Sequence, residues 1–111
     1  MNIITRLEEA ILIAIWRLKD NAYGVTINKQ VSESLKKKYS MGALYFALNQ
    51  LLRKGHVNKT IRHFYHEKGG RGRTYYTLTE NGKKALWKVR IYQKSLWERI
   101  PEMTFNVKNT K

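Results

Sequence analysis

Apolar residues recur along this chain first at helical spacing, then at strand spacing, then at helical spacing again. Thr5-Arg6-Leu7-Glu8 has the form of a capping box, in which the threonine hydroxyl and the glutamate carboxylate each accept from the other's backbone N–H. Leu7, Ile11, Ala14, Ile15 and Leu18 then predict a buried helical stripe, while Leu12, Ile13 and Trp16 add apolar surface on the remaining sides. Such a helix requires cover on more than one side, from a second subunit or from a later helix of the same chain. Asp20 to Gly24 reads as a turn. Ile27, Val31 and Leu35, four apart, predict a second helix over roughly 24–38. A third follows, capped by Ser40 and closed by Gly55, with Met41, Leu44, Leu48, Leu51 and Leu52 as its apolar stripe. His56 to Tyr65 and Thr74 to Leu78 alternate and are rich in β-branched and aromatic residues, as strands are. Thr79 caps a last helix whose stripe is Ala85, Leu86, Val89, Tyr92, Leu96 and Ile100, and Pro101 stops it. Helical from Glu80 to Ile100, it would be roughly 30 Å long, too long for a three-helix core to cover. Val89, Tyr92, Leu96 and Trp97 would then be exposed unless a partner buries them, which predicts a symmetric dimer through this helix and the first.

The opposite face of the third helix is unusual for a solvated surface. It carries Gly42, Phe46, Asn49 and Arg53, with Ala43 and Gln50 beside them, and Lys36, Lys37 and Lys38 just before. Two small residues followed by groups able to touch a base edge suit a helix entering a DNA major groove N-terminus first. The alternative is an amphipathic helix with basic ends that touches no nucleic acid. Charge favours the first reading. The chain's 111 residues hold 22 Lys+Arg against 8 Asp+Glu, a net charge of +14, which opposes compaction and is explained by a polyanionic partner. Nucleic acid is the first such partner and an anionic membrane surface the second. Between the two strands lies His66-Glu67-Lys68-Gly69-Gly70-Arg71-Gly72-Arg73, a glycine-rich, cationic hairpin tip. From Arg53 to Arg73, seven cations stand against Glu67 alone. A basic hairpin beside a groove-reading helix is the winged helix-turn-helix arrangement.

Three stretches then resemble the PadR family of bacterial winged-helix transcriptional regulators. They are Tyr23-Gly24 at the start of the second helix, SMGALYFALNQLLRKGHV, and GGRGRTYYTLTENGKKAL. They resemble the family's YG, its S-x-G-T-L-Y-x-A-L-x-x-L-x-x-x-G-L recognition segment, and its G-R-x-R-x-Y-Y-x-L-T-x-x-G-x-x-x-L wing and strand. Order and spacing hold from about Leu7 to Val89. The resemblance implies repression of nearby promoters by a dimer on a palindromic site, dimerisation through the C-terminal helix and, in some members, release by aromatic or drug-like ligands. It also implies that Tyr23, Ser40, Ala43, Tyr45, Arg71 and Arg73 face DNA. Ala43 stands where the family usually has Thr, and Phe46 where it usually has Pro, so one hydroxyl contact is lost. A single C-terminal helix resembles the smaller subfamily and leaves little room for an effector domain.

Other chemistry is sparse. With no cysteine there is neither a disulfide framework nor a Cys-based zinc site, which fits a reducing cytoplasm. The longest apolar run, Ala10 to Trp16, is seven residues, far short of a membrane span, and no signal peptide is evident. His63-x-x-His66 places its rings on opposite faces of a strand, so no metal is expected. The scattered carboxylates and the absence of nucleophile or phosphate-loop motifs predict no enzyme activity and no cofactor. Across a two-fold axis, Trp16, Tyr92 and Trp97 would line an aromatic pocket suited to planar or cationic ligands, or simply form dimer core.

The expected fold is α+β, mostly helical: a winged helix-turn-helix of three helices and a two-stranded wing over 1–79, a dimerisation helix over 80–101, and a flexible polar tail over 102–111. The expected function is cytoplasmic, sequence-specific binding of double-stranded DNA by a repressing homodimer, with helix 40–54 in the major groove and wing 66–73 on backbone or minor groove. Met41, Gly42, Ala43, Phe46 and Asn49 would face bases. Tyr23, Lys38, Ser40, Tyr45, Arg53, Lys59, Arg62, Arg71 and Arg73 would hold backbone or minor groove. Trp16, Val89, Tyr92, Leu96 and Trp97 would form the dimer interface or an effector site. A sequence-blind architectural binder and a winged-helix protein-interaction module are the alternatives.

Overall fold

The computed structural model describes residues 4–63, 72–98 and 100. Its elements are α1 (Arg6–Leu18), α2 (Gly24–Leu35), α3 (Met41–Arg53), β1 (Val57–His63), β2 (Gly72–Leu78) and α4 (Glu80–Glu98), with a short 3-10 turn, Lys19–Asn21, after α1. This is the expected winged helix-turn-helix followed by one long helix.

Caps set most boundaries. Thr5 Oγ1 accepts from the Glu8 N–H at 3.0 Å and Glu8 Oε1 from the Thr5 N–H at 2.9 Å, the expected reciprocal cap. The Ser40 hydroxyl accepts from the Ala43 N–H at 3.0 Å and starts α3. Gly55, at φ +76°, turns the chain out of α3 through the left-handed region. The Thr79 hydroxyl accepts from the Gly82 N–H at 3.0 Å and donates to the Gly55 carbonyl at 2.6 Å, fastening the start of α4 to the end of α3.

The core is where α1, α2 and α3 meet. Ile11, Leu12, Ile27, Val31, Leu44, Leu48 and Leu51 are fully buried there, with Val57 and Tyr76 closing it from the sheet side. Of the extra apolar surface of α1, Leu12 is covered by the chain itself, Ile13 is half-buried and Trp16 is exposed. Ala85, Leu86 and Val89 pack half-buried against this core, so Val89 is not among the exposed residues of α4 as its sequence suggested. Tyr92, Leu96 and Trp97 are exposed.

Three boundaries differ from expectation. The second helix ends at Leu35, not Lys38, because Lys36 takes a left-handed conformation (φ 55°, ψ 42°). Asn28 and Ser32 hold the turn that follows: Asn28 Nδ2 donates to the Tyr39 carbonyl at 2.9 Å and Ser32 Oγ to Asn28 Oδ1 at 2.9 Å. The three lysines therefore decorate the connection into α3 rather than a helix end. β2 begins at Gly72, paired with His63, earlier than the Thr74 expected from alternation. The described α4 ends at Glu98, giving about 28 Å of helix.

A third, one-residue strand joins the wing. Tyr23 bridges Tyr75, and the Tyr76 N–H donates to the Ala22 carbonyl at 2.9 Å. The segment read as a plain turn thus anchors the wing to the start of α2.

Candidate nucleic-acid interface

The outward face of α3 follows from which residues the core takes. Leu44, Ala47, Leu48 and Leu51 point inward, leaving Gly42, Ala43, Tyr45, Phe46, Asn49 and Arg53 exposed. Phe46 is 68% exposed, and nothing in the core would gain from that position. Met41 belongs to this exposed set rather than to the buried stripe. It sits at the rim, its sulfur accepting from Asn28 Nδ2 at 3.1 Å. Arg53 Nη1 donates to Gln50 Oε1 at 3.2 Å, one turn back on the same helix. Lys38 is exposed just before the Ser40 cap.

The helix is seated by Gly24. A Cβ there would overlap the Tyr45 hydroxyl and crowd Met41 Cε, so the glycine lets the first turn of α2 and the middle of α3 close up. The Tyr45 ring is thereby fixed, with its flank still exposed. The buried Tyr76 phenol lies close enough that its pKa is raised, by burial first and by Tyr45 second.

At the base of the wing, arginines and tyrosines alternate. The Arg62 guanidinium lies 4.0 Å from the Tyr75 ring centre, Tyr75 meets Tyr23 edge-on at 5.3 Å, and the Arg73 guanidinium lies 4.3 Å from the Tyr23 ring. Arg62 Nη1 also donates to the Asp20 carbonyl at 3.0 Å, and Arg73 Nη1 to the Tyr75 hydroxyl at 3.4 Å. Arg62 and Arg73 are direct cross-strand partners, an arrangement of like charges that is unfavourable on its own. The two rings separate and attract both cations, so this ladder presents positive charge beside the start of α2. Lys59 projects from the other face of β1, since residues three apart on a strand alternate. Arg71 and His66 lie outside the described residues.

Two polar groups near this face are engaged within the chain. The Thr26 hydroxyl accepts from the Tyr23 N–H at 3.0 Å and donates to the Asn21 carbonyl at 2.7 Å. Lys54, one of the seven cations between Arg53 and Arg73, pairs with Glu8 of α1 at 2.9 Å. Glu8 is buried and a buried carboxylate requires such a partner. Its place on the Leu12–Ile15 side of α1 was the available signal. Beside this pair His56 is buried, and its pKa is lowered by burial, then by Lys54, with Glu8 opposing.

Trp16, Tyr92 and Trp97 are not neighbours within one protomer. α4 runs antiparallel along α1, with Lys83 over the Trp16 ring at one end and Gln93 donating to Glu9 at 3.4 Å toward the other. Among the described residues no three His, Asp or Glu side chains converge as metal ligands, and no described helix is long and apolar enough to cross a membrane.

A capped helix with an exposed, small-residue leading edge, flanked by a cationic two-stranded wing, defines a winged helix-turn-helix protein of the DNA-binding class. The transcriptional regulator PadR-like family matches residues 11–88, and the chain belongs to that family, whose members are transcription regulators rather than enzymes. Among solved structures, a PadR family transcription regulator from hypervirulent Clostridium difficile is 26% identical with a TM-score of 0.66, covering 86% of this chain and 94% of that one. RosR of H. salinarum, in a complex structure, is 25% identical with a TM-score of 0.66 over 86% and 78% of the two chains. A PadR-like transcription factor from Bacteroides fragilis shares the fold, at 23% identity and a TM-score of 0.71 over 85% of each chain. No curated protein matches the chain.

Proposed function

We propose that this regulator is a cytoplasmic homodimeric repressor that reads a palindromic double-stranded operator. Residues 1–79 form the DNA-binding domain and 80–101 the dimerisation helix. The outward face of α3 carries the reading: Met41, Gly42, Ala43, Phe46 and Asn49 lie against base edges in the major groove. Small residues at 42 and 43 let the helix backbone approach closely, Phe46 suits a thymine methyl, and Asn49 suits adenine. Tyr23, Lys38, Ser40, Tyr45 and Arg53 hold the phosphates around the helix. The wing, with Lys59, Arg62, Arg71 and Arg73, follows the backbone or the minor groove. The single observation behind this is the exposure of Phe46 and its neighbours on a helix whose other side is fully buried.

The dimer is supported by Tyr92, Leu96 and Trp97, exposed on the far half of α4. Packed against the equivalent half of a second copy and its α1, they would be withdrawn from water, and the two recognition helices would lie about 34 Å apart. Trp16, Tyr92 and Trp97 would adjoin an aromatic effector only if contributed by different protomers. In vitro selection of bound duplexes tests the proposal: the expected product is a two-fold symmetric motif. A second reading, a sequence-blind architectural binder, is favoured by Gly42 and Ala43, which bring no base-specific polar group; selection without enrichment would establish it instead.

A further inference from the structure

Beyond the reading face, the C-terminus of α1, the base of the wing and the first turns of α4 enclose a cleft of about 300 Å³. Trp16 forms one wall and is 57% exposed. Lys19 and Lys83 hold their ammonium groups 5.6 and 5.8 Å from its ring centre, and Arg62 lines the same cleft while riding on Tyr75. One turn along α4, Trp87 is 61% exposed and shares a shallow hollow with Lys83, Lys84 and Lys88. Five cations and two exposed indoles thus make one patch. The carboxylates within it are Asp20 and Glu80, the latter paired with Lys83 at 3.1 Å.

Within one protomer the patch lies at the opposite end of the α1–α4 pair from Gln93, away from the exposed Tyr92, Leu96 and Trp97. A second copy offering the same surface would set five cations against five. Two indoles are too little apolar surface for insertion into a lipid interface. A row of phosphates satisfies the cations, and the indole N–H groups are donors suited to phosphate oxygens. Arg62 makes the patch continuous with the arginine–tyrosine ladder.

We propose that this surface, centred on Trp16, Lys83 and Trp87, binds the sugar–phosphate backbone of the duplex flanking each half-site, outside the bases that α3 reads. The proposal rests on the duplex-binding reading. It makes affinity depend on DNA length beyond the recognised sequence, with each phosphate neutralised adding about 0.9 to the slope of log K against log salt.

The test compares two duplexes carrying the same selected site, one ending at the site and one extended by a full helical turn on each side. The wild-type protein is expected to bind the extended duplex more tightly and with a salt slope steeper by about 0.9 per added contact. The Lys19→Gln/Lys83→Gln/Lys88→Gln variant is expected to lose that gain while binding the short duplex as wild type does. A charge-matched control, Lys29→Gln/Arg90→Gln/Lys94→Gln, is expected to keep it. Equal affinity and slope on both duplexes in the wild type, or a gain that survives in the first variant, overturns the proposal and leaves the operator reading standing. A gain lost equally in both variants reduces it to net charge and overturns it too. Failure of the wild type to bind either duplex overturns the operator reading itself.

Discussion

Two adjacent cations at the end of α3, Arg53 and Lys54, are assigned opposite roles, and substitution separates them. Lys54 lies 2.9 Å from Glu8 Oε1, and Glu8 is only 4% exposed. Lys54→Met keeps the aliphatic stem but removes the charge, leaving a carboxylate in the protein without its counter-ion. Breaking a fully enclosed pair costs about 3–5 kcal/mol, whereas an exposed pair contributes about 0–1 kcal/mol. The Lys54 side chain retains 23% exposure, so water partly replaces it and the expected cost is about 2 kcal/mol. At about 4 °C per kcal/mol for a chain of this size, the thermal midpoint should fall by about 8 °C. Glu8→Gln keeps an acceptor for the Thr5 N–H, so a double-mutant cycle on Glu8→Gln and Lys54→Met, followed by circular dichroism, should give a coupling of about 1–2 kcal/mol. The salt slope of DNA binding should be unchanged by Lys54→Met and lowered by about 0.9 per lost contact by Arg53→Ala. An unchanged midpoint together with a shallower slope for Lys54→Met would refute the assignment and place that ammonium on DNA.

Gly24→Ala should lower stability by about 1–3 kcal/mol through its overlap with Tyr45, and Tyr45→Phe in the same chain, which removes the hydroxyl, should recover part of the loss in a melting experiment. Tyr75→Ala should weaken DNA binding in fluorescence anisotropy by removing the platform under Arg62, while Tyr75→Phe, which keeps the ring, should bind nearly as wild type. The folded-state pKa of His56 is depressed by burial, so the unfolded chain binds more protons just below its ordinary 6.5. Stability is then fully present above that value and declines as pH falls from it toward the lower folded value; His56→Gln should flatten urea-unfolding free energies across that window, and an unaltered pH profile would show that the imidazole is solvated.

Local chemistry made much of the fold readable. Thr5 with Glu8, Ser40, Gly55 and Thr79 each act within about three residues of themselves, so sequence alone placed the helix starts and the exit from α3. The outward face of α3 was readable for the same reason: once period 3.6 assigns Leu44, Leu48 and Leu51 inward, Phe46 and Asn49 have no other direction to face. What sequence missed depends on distant partners. Nothing local to Lys54 reveals Glu8, 46 residues away. The strand-like pairing of Tyr23 with Tyr75 requires knowing that the wing folds back over the start of α2. The helix after Gly24 stops early because Asn28 and Ser32 bond forward into residues 36–40 rather than extending the helix, a competition that apolar spacing does not register. Met41 has the spacing of a core residue but stands at the first turn, beyond the edge of the core.

The most direct measurement of the central claim, that the outward face of α3 reads bases, is the ratio of affinities for a selected duplex and its scrambled counterpart at one salt concentration. For Asn49→Ala this ratio should fall by about 5- to 150-fold, given about 1–3 kcal/mol for a bidentate base contact, while the salt slope stays that of the wild type. A ratio unmoved by Asn49→Ala and by Phe46→Ala alike would contradict the account.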